Sequence, residues 1–254
     1  MSPFKPFQTG LKIGYCGETK VGKSHLGASF VKQFDGIFLD FSKIIQSGGW
    51  SGKTPEYHVA QVGTGEAYTA CQHVGIDIDH QYKFIKSWDD LEFAIECAKE
   101  YRDKESKKGN KRLWCVFDDS KWLRYMRAQK EAQLAAHKSI NKDDWRNATV
   151  GLTLQITELE AQFNLLYVNQ MGAEWAAGES TGNRAGAFYP SGAEFIYDLV
   201  GELFVDESQK PRVQHMRFIA NRCTWQCTND YIDNVVSPTP EKILEAAGVD
   251  KSLW

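Results

Sequence analysis

The sequence predicts an α/β domain built on a mostly parallel central sheet flanked by helices. Three observations carry that expectation. "LKIGYC" (11–16) reads as a short apolar strand; it enters a glycine-bearing loop and then "KSHLGASFVKQF", where Leu26, Phe30, Val31 and Phe34 recur at helical spacing. "DGIFLDFSK" (35–43) follows as a turn, a strand and a strand-end acid, Asp40. "RLWCVFDDS" (112–120) holds a continuous apolar run from Leu113 to Phe117, the pattern of a strand buried on both faces. A chain of 254 residues, 42% hydrophobic and 25% charged, suits one domain with a sizeable core and is short for two.

The first loop has specific chemistry. Gly17, Glu18, Thr19, Lys20, Val21, Gly22, Lys23 and Ser24 fit the pattern G-x-x-x-x-G-K-[ST] at every fixed position, and His25 continues into the helix. In that setting the backbone N–H groups of the loop and the first helical turn point at a phosphate chain, and the helix dipole favours negative charge there. Glycine lets the backbone approach closely. Lys23 neutralises the β- and γ-phosphates of a nucleoside triphosphate, and the Ser24 hydroxyl ligates Mg²⁺. Strand, loop and helix stand in the order this reading requires.

A second Mg²⁺ partner is expected at the end of a neighbouring strand. Asp118 and Asp119 close the apolar run that begins at Leu113. Asp118 is assigned to the Mg²⁺ shell; Asp119 is either a supporting partner or the base. Strand C-termini line the ligand crevice of a parallel sheet, so Asp40 competes with Asp119 to polarise the attacking water. The reading leans to Asp40.

Residues 44–81 form the least regular stretch, rich in Gly, Ser and Thr, and are read as an insertion. A strand in "YKFIKS" follows, then a helix opened by Ser87 and Asp90 and running to about Lys104. "YRDKESKKGNKR" (101–112) is a solvated, locally basic loop. Beyond the Asp pair, one helix is expected over Lys121–Ile140 and another over Ala148–Gln162. "FNLLYVNQM" (163–171) is an apolar strand ending in Asn169-Gln170, with a mobile polar loop at about 171–192 behind it. Two late strands fall within Phe195–Val205 and Val213–Asn221, and "SPTPEKILEAAG" is a capped helix with Thr239 as cap, Pro240 at its first position and Gly248 after its end.

A net charge of −3 confines any nucleic-acid surface to a local patch. No apolar run is long enough to span a bilayer and no leader opens the chain, so a soluble, cytoplasmic protein with no membrane partner is expected. Six scattered cysteines fit a reducing compartment. Cys223 and Cys227 with His215 are spaced loosely for zinc, and Cys71, His73 and His80 are thinner still.

Taken in order, a phosphate-loop strand, a strand ending in Asp40, a strand ending in Asp118-Asp119, and a strand ending in "VNQ" with a glycine-rich loop behind it resemble the RecA/RadA recombinase core. They resemble more closely the compact phage-type P-loop ATPases of single-strand annealing systems, over roughly residues 11–222. The resemblance implies a RecA-like P-loop fold over the whole chain, with antiparallel late strands. It implies ATP and Mg²⁺ as cofactors, Gln170 as a γ-phosphate sensor at the root of a DNA-binding loop, and Arg222 in "FIANR", or else Lys210, reaching a neighbouring subunit's site. It also implies single-stranded DNA as ligand, a homo-oligomeric ring or filament, and a single-strand binding or other recombination protein as a further partner. The chain departs from the family in its loop residues Glu18, Thr19 and Lys20, in Asp40 where the recombinases use Glu, and in the lone Arg184 of the loop after Gln170; the recombinases' N-terminal oligomerisation arm is also missing.

The function expected is a Mg²⁺-dependent ATPase coupled to single-stranded DNA in recombination or annealing, of phage or prophage origin. Trp175, Phe188 and Tyr189 are candidates for base stacking, with Arg184 for phosphate. Two alternatives stand beside it. One is a nucleotide-dependent switch or assembly ATPase acting on a protein partner in replication or packaging. The other is a small-molecule kinase, for which residues 171–192 are poor in the arginines of a closing lid.

Overall fold

The computed structural model describes residues 10–41, 44–47, 56–59, 66–105, 112–120, 122–176, 179–186, 197–221, 223 and 232–250. Four strands, buried throughout except at Lys12, form the middle of the sheet or lie next to it. They are β1 (Lys12–Gly17), β2 (Gly36–Asp40), β6 (Trp114–Asp118) and β7 (Asn164–Val168). Between β1 and β2 runs helix α1 (Lys23–Phe34). The excursion after β2 contains a hairpin, β3 (Ile44–Ser47) with β4 (Glu56–Val59), then α2 (Glu66–Val74) and the single turn α3 (Ile78–Gln81). Strand β5 (Tyr82–Phe84) and α4 (Trp88–Glu105) follow, and α5 (Trp122–Leu134) and α6 (Lys142–Glu160) lie between β6 and β7. Past β7 come the hairpin β8 (Met171–Ala176) and β9 (Glu179–Gly186), then β10 (Leu199–Asp206), β11 (Val213–Asn221), β12 (Ile232–Val236) and α7 (Pro240–Ala246).

Eight strands make one sheet in the order β12-β11-β10-β1-β7-β6-β2-β5. It is parallel from β10 to β5 and antiparallel at β10-β11-β12. One strand, β7, separates β1, which leads into the loop at residues 18–22, from the Asp118 strand β6, and β2 flanks β6 on its far side. The architecture is the expected α/β one, a mostly parallel central sheet flanked by helices, with antiparallel late strands.

Alternation along the central strands explains their continuous apolar runs. Tyr15, Phe38, Val116 and Leu166 face α1, α2 and α7, while Leu39, Phe117, Leu165 and Tyr167 face α4, α5 and α6. Helix α1 packs closely on the sheet at Gly27, where an added Cβ would stand 3.2 Å from Phe38, Tyr15 and Val116. That contact fixes the height of the helix start above the end of β1.

Three local expectations are corrected. The expected loop at 171–192 contains a two-stranded antiparallel hairpin over 171–186. The irregular stretch 44–81 holds a hairpin and two helices. The helix expected over Lys121–Ile140 ends at Leu134, and the next begins at Lys142 rather than Ala148. The reason lies in a capping box: the Asn141 side chain accepts from the N–H groups of Asp143 and Asp144, and the Asp144 carboxylate accepts from the Asn141 N–H. Elsewhere the caps stand where the sequence puts them. Ser87 Oγ accepts from Asp90 N at 3.1 Å, and Thr239 Oγ1 from Lys242 N at 3.3 Å.

Candidate nucleotide phosphate site

Gly17 ends β1, and residues 18–22 turn into α1, whose first residue is Lys23. Gly22 is the N-cap and sits in the left-handed region at φ 88°, which a side chain would strain. Lys20 also has a positive φ, 68°. The Lys23 ammonium folds back over the loop and donates to the carbonyls of Gly17 at 2.9 Å and Glu18 at 2.7 Å. Beneath it the Tyr15 hydroxyl donates to the Lys23 carbonyl at 2.7 Å, tying the first turn of α1 to β1. Burial lowers the Lys23 pKa, while Asp118 and Asp119 pull it upward.

Asp118 lies across from this turn. Its carboxylate takes a hydrogen bond from the Ser24 hydroxyl, and burial, followed by repulsion from Asp40 and Asp119, raises its pKa to about 7. Its Oδ2 is buried and has no hydrogen-bond partner. An orphaned carboxylate oxygen beside a serine hydroxyl is a donor set suited to a hard cation that takes oxygen ligands. Ser24 and Asp118 therefore fit Mg²⁺.

Asp40 ends β2 in register with Asp118 and is fully buried. The Tyr82 hydroxyl, on β5, donates to Asp40 Oδ2 at 2.6 Å. Tyr82 is itself packed edge-on against Tyr68 of α2, at 5.4 Å between ring centroids. Asp119 is buried beside Asp118. Three carboxylates thus converge at the C-terminal edge of two adjacent strands, and two of them, Asp118 and Asp119, act on the Lys23 ammonium.

The ends of β1, β6 and β7 are laced together by Asn169. Its side-chain oxygen accepts from Ser120 Oγ at 2.5 Å, and its amide donates to the Tyr167 carbonyl at 3.1 Å. The Asn169 N–H donates to the Tyr15 carbonyl at 2.8 Å. Gln170 is the next residue, exposed, directly before β8. His25 is exposed on α1; burial first and then His73, 5.2 Å away between ring centroids, lower its pKa from 6.5.

Several candidates lie elsewhere. Arg222, Phe188, Tyr189 and Cys227 fall outside the described residues, as do the side chains of Trp175 and Arg184. Lys210 is exposed in the turn between β10 and β11. The Cys223 thiol is half-buried, and its Sγ lies 3.8 Å from the Asp198 carbonyl. Among the described residues, no group of three or more His, Cys, Asp or Glu side chains could hold a metal ion. Nor is any described helix long and apolar enough to cross a membrane.

Two contacts escaped the sequence. Tyr82 on Asp40 joins residues 42 apart. The Gln214 side-chain amide, on β11, donates to the Val21 carbonyl of the phosphate loop, 193 residues away. Neither has a local motif, so only the folded sheet shows them.

No family model matches the chain, and no curated protein matches it. Among solved structures it is similar to a KaiC-like protein of the hyperthermophilic archaeon Pyrococcus horikoshii. The two are 12% identical, with a TM-score of 0.43 over 91% of this chain and 90% of that one.

Proposed function

We propose that this chain binds ATP with Mg²⁺ and hydrolyses it, and that hydrolysis is coupled through Gln170 to single-stranded DNA. The observation that carries the first half is the juxtaposition at one sheet edge of the Gly22-capped loop, Lys23, and a Ser24 hydroxyl bonded to Asp118. Loop N–H groups and the Lys23 ammonium bind and orient the phosphates. Mg²⁺, when bound at Ser24 and Asp118, supplies charge neutralisation at the phosphate oxygens. Asp40 orients the attacking water and takes its proton, with Asp119 as the competing base. The Tyr82 hydroxyl favours Asp40, because its hydrogen bond fixes the rotation of that carboxylate.

Coupling rests on position. Gln170 stands between the phosphate edge and the β8–β9 hairpin. A bond from its amide to the γ-phosphate, made before hydrolysis and lost after it, gives the hairpin two states. Trp175 and Arg184, carried by the hairpin, suit stacking on bases and contact with phosphate. In this reading a ring or filament of copies completes each site with Arg222 or Lys210 of a neighbour, in a recombination or annealing assembly that includes a single-strand binding or other recombination protein.

The test is steady-state ATP hydrolysis by the full chain with Mg²⁺, with and without a mixed-sequence single-stranded oligonucleotide, at two salt concentrations. Stimulation that weakens as salt rises is expected, and Gln170→Ala is expected to keep nucleotide binding while losing the stimulation. Hydrolysis indifferent to DNA would overturn the coupling and leave a switch that acts on a protein partner. Normal stimulation of the Gln170→Ala chain would remove Gln170 from it.

A further inference from the structure

The antiparallel half of the sheet reaches into the phosphate loop at one point. Gln214, second residue of β11, donates its side-chain amide to the Val21 carbonyl. The same amide lies behind Gly22, where an added Cβ would come within 2.7 Å of Gln214 Nε2. Gln214 is itself held in the sheet. It pairs with Val205 of β10, and its own carbonyl accepts from the Ser237 N–H at 2.8 Å, just past β12. The backbone that carries the donor is therefore paired within the sheet on both sides, apart from the loop it reaches.

We infer that Gln214 is a positioning residue for the nucleotide, holding the Val21–Gly22 peptide in the orientation that binds phosphate. A trans peptide is planar, with its C=O and N–H pointing opposite ways. Pinning the Val21 carbonyl toward β11 aims the Gly22 N–H away from β11. Gly22 is also the residue whose positive φ lets the chain enter α1, so its peptide plane has more freedom than that of any other residue type. A fixed donor removes that freedom before the nucleotide arrives, which lowers the ordering cost of binding. The inference rests on the reading of residues 17–24 as a phosphate loop and adds the late strands to that site.

Three full-length chains test it: the natural one, Gln214→Met, which keeps the length and loses the donor, and Gln214→Glu, which sets a carboxylate against the Val21 carbonyl and near the phosphates. ATP affinity in the presence of Mg²⁺ is measured with a fluorescent ATP analogue, KM and kcat by steady-state hydrolysis, and folding by thermal melting. The expected order of affinity is Gln, then Met weaker by about fivefold to tenfold, then Glu weaker again. The loss falls on KM rather than kcat, with melting temperatures alike. Equal affinity of the Gln and Met chains would overturn the positioning role while ATP binding by the natural chain kept the phosphate-loop reading intact. A lower melting temperature with KM and kcat impaired together would assign Gln214 a merely structural role and overturn it too. Absence of ATP binding by the natural chain would overturn both readings.

Discussion

Asp40, Asp118 and Asp119 are each buried at the edge where β2 and β6 end. Grouping like charges out of water is costly, and the cost appears at Asp118, whose pKa moves from 3.8 to about 7. A carboxyl group that holds its proton more tightly in the folded chain stabilises fully below its unfolded pKa, and that contribution is lost as pH rises through the folded one. The chain in EDTA and without nucleotide should therefore lose stability between about pH 4 and pH 7 through this group. Asp118→Asn should melt higher than the natural chain at pH 8, with the difference closing toward pH 5. On the order of 1–4 kcal/mol is at stake, at about 2–4 °C per kcal/mol. A difference independent of pH would show that Asp118 is not the strained group. Tyr82 gives a second handle at this scale. Tyr82→Phe keeps the ring against Tyr68 and removes only the hydroxyl bonded to Asp40. If Asp40 orients the water, kcat falls about tenfold or more with KM for ATP little changed; an unaffected kcat would shift the role to Asp119.

Among the elements, those with a strong local signal were legible in the sequence and those built by distant pairing were not. The β1–α1 turn was readable because glycine, lysine and serine must stand at fixed spacing to hold phosphates, and β6 because burial on both faces forces an unbroken apolar run. The β8–β9 hairpin was not: "MGAEWAAGESTGNRAG" lacks the alternation of a half-buried strand, and its pairing supplies the order instead. The break between α5 and α6 was placed too late along the chain because the helical pattern runs on past Leu134, while the decisive signal is the Asn141–Asp144 box. That box also draws in His137, whose ring nitrogen lies 3.0 Å from the Asp144 carboxylate. Asn141→Ala should cost about 0.5–2 kcal/mol in denaturant unfolding, through the lost cap at the start of α6. A change within error would mean that packing of Leu152, Ile156 and Leu159 alone sets where the helix begins.

Over the whole molecule, the parallel strands and the antiparallel strands do different work around one edge. The parallel set carries Lys23, Asp40 and Asp118 at its C-terminal ends; β7 delivers Asn169 and Gln170 to the same edge, and β11 supplies Gln214 from the antiparallel side. The succession of strands along the chain and the carboxylates were within reach of the sequence, since β2 and β6 end in their own acids and β7 runs into an amide pair, whereas the order of the strands in the sheet was not. The cross-links were not, because Tyr82 and Gln214 meet their partners only after the sheet has assembled. All of these parts serve a single central claim, that this edge is a triphosphate site. The most direct test is equilibrium binding of ATP, by calorimetry in the presence of Mg²⁺, to the full natural chain and to Lys23→Ala. The expected result is saturable one-site binding that needs Mg²⁺ and weakens at least about 100-fold without the lysine ammonium, as loss of a charge-assisted contact of roughly 3 kcal/mol requires. Equal binding by the two chains, or none by the natural one, would contradict it.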